Sequence, residues 1–177
     1  LFGSLTLLEN VKLPLEEFTG LGPGAIDALA RMKLDLVGLG DAADRLPAEL
    51  SGGMQKRAAI ARALALDPEI LFLDEPSAGL DPVTSAGLDR LILDLCAGFG
   101  MTFVVVTHEL QSILAIGSRA IMLDRERRGI LAEGTPAGLR DDPPHERVRQ
   151  FFRREAAEAL PAAGGGGGTG GVSGTRT

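Results

Sequence analysis

The pattern of apolar and polar positions divides the chain into a helical first part and a later part in which strands and helices alternate. Residues 1–50 carry apolar side chains near helical spacing. Thr6 is suited to cap a short first helix, and a second helix is predicted over residues 25–37. The stretch TGLGPG, at 19–24, is predicted to be a loop between them.

The pattern changes at Ser51, which precedes an Ala-rich helix predicted over 52–66. The continuous apolar runs ILFL, at 70–73, and TFVVV, at 102–106, are typical of strands buried on both faces of a parallel sheet. The remaining predicted elements are helices at 84–96 and 109–116, a third strand at 120–123 and a returning strand at 130–133. Strands that alternate with helices in this way predict an α/β layer fold.

The chain ends in a predicted helix and a glycine-rich tail. The helix, over 142–159, carries Val148, Phe151 and Phe152 on a narrow apolar stripe. Two interpretations stay open: the stripe packs on the surface of its own domain, or it clasps a partner subunit. The tail at 161–177 cannot bury enough apolar surface to order itself and is predicted to be disordered.

Composition excludes several classes of function. The 177 residues are enough for a domain with a sizeable core, and 45% of them are hydrophobic. A formal net charge of -6, with seven Phe and no Tyr or Trp, argues against a nucleic-acid binder. The single cysteine, Cys96, excludes an intrachain disulfide and indicates a reducing compartment. No uncharged apolar run approaches the roughly 20 residues that a membrane span needs.

The first motif with candidate chemistry is LSGGMQ, in which Ser51 precedes Gly52 and Gly53 at the start of a predicted helix. A helix N-terminus presents unpaired N–H groups and a partial positive charge that can hold an anion. Glycines let the backbone approach a phosphate closely. The alternative interpretation is a plain helix cap after a glycine turn.

The second motif is the pair Asp74 and Glu75, which follows the first predicted strand. The carboxyl end of a strand in an α/β sheet is where such folds bind ligands. Asp74 is suited to hold Mg²⁺, a cation that prefers oxygen ligands, and Glu75 to polarise an attacking water. The alternative is two solvated carboxylates in a turn at the end of a strand.

Two further motifs lie close to these in the chain. SAGLDP, at 77–82, is a turn that leads into a helix, with Asp81 just before the helix-starting Pro82. His108 closes the second strand, and it would lie near the carboxylates of the first strand if the two strands are neighbours. From there it could hydrogen-bond a terminal phosphate. The alternative is a surface histidine that caps the next helix.

Together these motifs resemble, in order and spacing, those of the ATP-binding-cassette (ABC) family. LSGGM is similar to its signature motif, ILFLDEP to its Walker B strand, SAGLD to its D-loop and VVVTH to its H-switch. The resemblance implies a P-loop NTPase (RecA-like) ABC ATPase core with a helical subdomain. Met54 departs from the Gln that is commonest at that place in the signature, but Ser51, Gly52 and Gly53 are kept.

The family assigns a role to each matching residue. Asp74 would bind Mg²⁺, Glu75 would act as the general base, and His108 would sense the γ-phosphate of ATP. The signature residues Ser51, Gly52 and Gly53 would meet the γ-phosphate of ATP held by a partner subunit.

The resemblance also implies partners. A second ATPase subunit would close head-to-tail on this one, with Asp81 bridging the interface. A transmembrane permease subunit would dock near residues 1–18.

Three longer segments resemble the ATPase subunits of Mla/Mce-type systems, which move phospholipids or related lipids between bacterial membranes. These segments are LFGSLTLLENVKLPL, LSGGMQKRAAIARALAL and HERVRQFF. The resemblance implies a cytoplasmic subunit, peripheral on the inner face of the plasma membrane.

The family's phosphate-binding loop, G-x-x-x-x-G-K-[ST], does not occur in the sequence, because no glycine precedes any of its lysines, Lys12, Lys33 and Lys56. We therefore expect an N-terminally truncated chain, with roughly 80–100 further residues in the full protein. We also expect these 177 residues to be inactive as an ATPase by themselves.

The motifs predict a division into a helical subdomain at 1–50, a signature helix and RecA-like core at 51–140, an amphipathic helix at 141–160 and the tail. Two other classes of function stay open: an ABC protein of the translation or DNA-maintenance type, and a non-catalytic regulatory module. The absent phosphate loop favours the module, whereas the intact Glu75 and His108 favour an ATPase.

Overall fold

The computed structural model describes residues 1–158, and their side chains through residue 153. The predicted tail lies outside the described residues. The chain forms two compact units, one over Leu1–Ala120 and one that begins at Ile121. The elements are α1 (Leu7–Phe18), α2 (Pro23–Leu36), α3 (Gly52–Ala63), β1 (Ile70–Asp74), α4 (Pro82–Phe99), β2 (Thr102–Val106), α5 (Leu110–Ile116), β3 (Ala120–Asp124), β4 (Gly129–Gly134), α6 (Pro136–Asp141) and α7 (Glu146–Glu158).

The first helix begins where the sequence predicts. The Thr6 hydroxyl accepts a hydrogen bond from the Glu9 amide at 3.2 Å, and the Glu9 carboxylate accepts one from the Thr6 amide at 2.7 Å. This reciprocal pair satisfies two amides that have no partner inside the helix. Asn10 is fully buried one turn later, and its side-chain amide donates to the carbonyls of Phe2 and Leu5. The segment before the helix is therefore tied to α1.

The second helix begins inside the predicted loop, so that boundary is wrong. Pro23 occupies the first turn of α2, where its fixed φ suits a helix and its missing N–H costs nothing. Pro23, which the sequence pattern places in the loop, is therefore the first residue of the helix. Helices α1, α2 and α3 enclose an apolar core with fully buried side chains, among them Leu7, Val11, Ala30, Leu34 and Ala61.

The strands β1 and β2 pair in parallel, with Ile70 opposite Thr102 and Asp74 opposite Val106. Side chains alternate between the two faces of such a sheet. The face with Leu71 and Phe103 packs against the helical core.

The prediction that these strands are buried on both faces is wrong for the described part of the chain. On the second face the side chains are exposed, Phe72 by 73% and Val106 by 60%. The helices of this unit that form the core pack against the other face of the sheet, which contains Leu71. Leu123 of β3, in the second unit's hairpin, is 75% exposed as well.

In the second unit, β3 and β4 pair as predicted and are followed by α6 and α7. The last helix begins at Glu146, four residues after the predicted start, because two prolines at 143–144 precede it. Val148 is fully buried and Phe152 is 8% exposed, which favours packing of the stripe on its own unit. Over the described residues, every helix is too short or too polar to span a membrane.

Candidate functional site

The candidate catalytic residues meet at the carboxyl ends of β1 and β2. Asp74 lies opposite Val106, and the Glu75 amide continues the ladder by donating to the Val106 carbonyl at 2.8 Å. Each strand therefore delivers its next residues, Glu75 from β1 and His108 from β2, to the same edge of the sheet. This is the edge at which α/β folds bind ligands.

The Glu75 carboxylate is held by two side chains that follow β2. Its Oε1 lies 2.8 Å from Nδ1 of His108, and its Oε2 accepts a hydrogen bond from the Thr107 hydroxyl at 3.2 Å. The bond to Glu75 and the negative charge of Glu75 raise the pKa of His108 above its ordinary value of 6.5. The sequence predicts this proximity only on the condition that the two strands are neighbours, and the structure meets the condition.

The alternative role for His108, as a helix cap, does not fit the structure. Glu109 occupies the residue before α5, and it makes no capping bond with its side chain. The Thr107 hydroxyl instead accepts from the Glu109 amide at 3.1 Å while it donates to Glu75. His108 is left 74% exposed, with one ring nitrogen on Glu75.

The backbone of Glu75 has a left-handed conformation, with a φ of 44°. Such a conformation costs about 1 kcal/mol for a residue with a side chain, and it persists where the surroundings hold it. The Glu75 carbonyl accepts one bond from the Ala78 amide at 3.2 Å and one from Nζ of Lys56 in α3, also at 3.2 Å. The sequence gives no signal for this contact, because Lys56 belongs to a different motif.

The start of α3 has the geometry that both sequence interpretations share. The Ser51 hydroxyl accepts from the Met54 amide at 3.3 Å and so caps the helix. Gly52 is exposed, whereas Gly53 is buried. A Cβ on Gly53 would lie 2.4 Å from Cγ2 of Thr84 in α4, which makes close packing a second reason for glycine there.

The D-loop residues lead into α4. The Asp81 carboxylate accepts from the amides of Val83 and Thr84, each at 3.0 Å, and caps the helix. The hydrogen bonds from the Thr84 hydroxyl and amide lower the pKa of Asp81. Since Thr84 also contacts Gly53, the cap of α4 and the start of α3 form one cluster. The neighbouring Ser77 hydroxyl is buried without a hydrogen-bond partner in the described structure.

Asp74 is exposed at the end of β1 and is the candidate metal ligand. The described residues contain no group of three or more carboxylate, histidine or cysteine side chains that could hold a metal ion. A single carboxylate fits a nucleotide-bound Mg²⁺. Such an ion is bound by one or two carboxylates, and its other ligands are waters and phosphate oxygens. The residues present therefore fit a magnesium ion brought by a nucleotide.

The chain is similar to known ABC proteins both in sequence and in fold. Residues 1–78 match the family model for the ABC transporter. Over 85% of the chain, the fold superposes on a putative metal-chelate type ABC transporter in an inward-facing conformation, with a TM-score of 0.72 and 25% identity, covering 59% of that chain. An ATP-binding cassette of an ABC transporter in its ADP conformation gives a TM-score of 0.70 and 27% identity, with coverage of 85% and 63%.

The α/β layer, the carboxylates at its edge and the helical subdomain are thus those of an ABC ATPase, the family that the chain resembles in sequence and in fold. It is 42% identical, over 152 residues, to the intermembrane phospholipid transport system ATP-binding protein MlaF of Escherichia coli K12. It is 41% identical, over the same length, to the probable ribonucleotide transport ATP-binding protein mkl of Mycobacterium leprae. These matches cover 86% of the chain, which spans 55% and 43% of the two relatives.

Proposed function

We propose that this chain is part of the ATP-binding and ATP-hydrolysing subunit of an ABC transporter. The observation that carries the proposal is the Glu75 carboxylate, held between Thr107 and His108 at the ligand-binding edge of the sheet. A general base must be within hydrogen-bond reach of the water it activates, and its own position must be fixed. A regulatory module has no need of such an arrangement.

Each residue at the edge has a separate task. Glu75 orients and polarises the water that attacks the γ-phosphate, and the ring nitrogen of His108 that faces away from Glu75 reaches a phosphate oxygen. Asp74 holds Mg²⁺ beside the nucleotide, directly or through water. When bound, the magnesium ion neutralises charge that develops on the transferred phosphoryl group.

The start of α3 acts on a second nucleotide. Ser51, Gly52 and Gly53 present helix N–H groups, which suit the γ-phosphate of ATP held by a partner subunit. Two such chains then close head-to-tail around two ATP molecules, with Asp81 at their interface.

The permease docks near residues 1–18. Phe2, which is 49% exposed, and the Arg62 guanidinium over its ring supply an apolar and cationic surface for that contact. The subunit is then peripheral on the inner face of the plasma membrane.

The proposed cargo is a phospholipid or a related lipid. Support comes from the likeness to MlaF, which is named for intermembrane phospholipid transport. The second candidate cargo is a ribonucleotide, since the mkl relative is named for ribonucleotide transport at a similar identity.

The hydrolysis proposal is tested with Glu75→Gln in a protein that joins these residues to a phosphate loop. Gln keeps the shape of the side chain but cannot act as a base, so turnover should fall at least about 100-fold while ATP still binds. Glu69→Gln, at the opposite end of β1, is the matched control and should leave turnover unchanged. Equal turnover in the two variants would contradict the role of Glu75.

The cargo proposal is tested by ATP turnover of the subunit with its permease in vesicles. Vesicles that contain transportable phospholipid should stimulate turnover, whereas ribonucleotides other than ATP, added to vesicles of non-transported lipid, should not. The opposite pattern would favour the ribonucleotide and exclude the lipid.

A further inference from the structure

The contact between Lys56 and the Glu75 carbonyl joins two parts of the site that the motifs treat separately. Lys56 lies on α3 one helical turn after Gly52, and its Nζ donates to the Glu75 carbonyl at 3.2 Å. The helix that offers its N-terminus to a phosphate therefore touches the backbone of the candidate general base. Lys56 and Glu75 are 19 residues apart in the sequence, and no motif between them indicates this contact.

The backbone of Glu75 has an unfavourable conformation that contacts with other residues must stabilise. Its φ of 44° is left-handed for a residue with a side chain, so the favoured conformation would turn the carboxylate elsewhere. The amide is fixed by the Val106 carbonyl and the side chain by Thr107 and His108. Lys56 supplies a charged hydrogen bond to the carbonyl, and such bonds are stronger than neutral ones.

We propose that Lys56 is a positioning residue that holds the strained backbone of Glu75 and couples its alignment to the N-terminal end of α3. The inference rests on the proposed function for the meaning of that alignment in catalysis. The contact itself rests on geometry alone. When Ser51 and the glycines engage a phosphate, a shift of α3 reaches Glu75 through Lys56 without passing through the sheet.

Lys56→Met tests the proposal, because it keeps the length of the side chain and removes the donor. In a protein that joins these residues to a phosphate loop, kcat should fall about 10- to 100-fold with little change in the KM for ATP. Lys56→Arg keeps a charged donor and should restore most of kcat. Lys56→Gln has a neutral donor, and its kcat should lie between those of the other two variants. It also provides a second test if Lys56→Met does not fold.

A second readout does not depend on turnover. The His108 imidazole, titrated by NMR in the same nucleotide-free protein, reports its bond to Glu75, with His108→Gln to assign the signal. In Lys56→Met the titration midpoint should move back toward 6.5, and in Lys56→Arg it should not. A shift in a protein that fails to hydrolyse ATP would support the positioning contact and contradict the proposed function.

The matched control is Arg57→Met. Arg57 is the next residue on α3 and also donates to carbonyls, those of Val37 and Gly87, but not to that of Glu75. Its loss should lower the melting temperature and leave the His108 midpoint unchanged. The proposal is overturned if Lys56→Met behaves in the same way, with a lower melting temperature and an unmoved midpoint and kcat.

Discussion

At the scale of single residues, Gly53 shows how one position can serve two needs. The sequence suggests glycine there because a backbone must approach a phosphate. The structure adds that a Cβ would lie 2.4 Å from Cγ2 of Thr84, which is closer than real side chains come. Gly52 has no such neighbour, since a Cβ there would meet Leu80 at an ordinary 3.5 Å.

Gly53→Ala is therefore expected to destabilise the protein by about 1–3 kcal/mol, the usual cost of adding a methyl to a packed site. Thr84→Ser removes the clashing Cγ2 and keeps the hydroxyl, so Gly53→Ala with Thr84→Ser should recover part of that loss. Gly52→Ala is the control and should change stability little. Urea unfolding of the four proteins measures this, and an equal cost for both glycines would contradict the packing role.

The sequence predicts which residues of the candidate site lie together, but not the contacts that hold them. Asp74, Glu75 and His108 follow from strand ends and motif order, because parallel neighbours bring their carboxyl ends together. The contacts of Lys56 with Glu75 and of Gly53 with Thr84 join residues about 20 to 30 positions apart, at distances that no periodicity encodes. Such contacts depend on how α3 packs, which only the folded chain determines.

At the scale of elements, local sequence signals predict where a helix starts better than they predict which strand faces are buried. Thr6 and Ser51 cap α1 and α3 as expected, because a cap needs only neighbouring residues. The burial of β1 depends on what covers each face, and the apolar run ILFL contains no information about that. Phe72 is accordingly exposed, whereas Leu71 next to it is buried.

One polar contact connects α4 to α5, the helix that begins two residues after His108. The Asp89 carboxylate accepts a hydrogen bond from the Ser112 hydroxyl at 2.8 Å, and both residues are buried. Burial raises the pKa of Asp89 above 3.8, while the bond from Ser112 acts in the opposite direction. The folded protein therefore binds this proton more tightly than the unfolded chain, and its stability falls as pH rises from 3.8 through the raised pKa.

Two substitutions of Asp89 separate the hydrogen bond from the charge. Asp89→Ala leaves the buried Ser112 hydroxyl unpaired and should cost about 1–3 kcal/mol of unfolding free energy. Asp89→Asn keeps an acceptor and removes the buried charge, so it should be at least as stable as the unsubstituted protein near neutral pH. Unfolding at several pH values measures both effects. If Asn costs as much as Ala, the charge is needed and this account of the contact is wrong.

At the scale of the whole molecule, the proposed function assigns to the chain parts of two different ATP sites. In that proposal Ser51, Gly52 and Gly53 meet a nucleotide on a partner, whereas Asp74, Glu75 and His108 meet one on the same subunit. Both parts lie in the unit over Leu1–Ala120, with Lys56 between them. The chain spans about half the length of the curated relatives it matches, and its sequence contains no phosphate loop.

The most direct test of this shared arrangement is ATP turnover by mixed dimers of a protein that joins these residues to a phosphate loop. Ser51→Arg on one subunit and Glu75→Gln on the other place both defects in the same site, which leaves the second site intact. Both substitutions on one subunit damage both sites. The account predicts substantial turnover for the first dimer and almost none for the second, whereas equal turnover in the two dimers would contradict it.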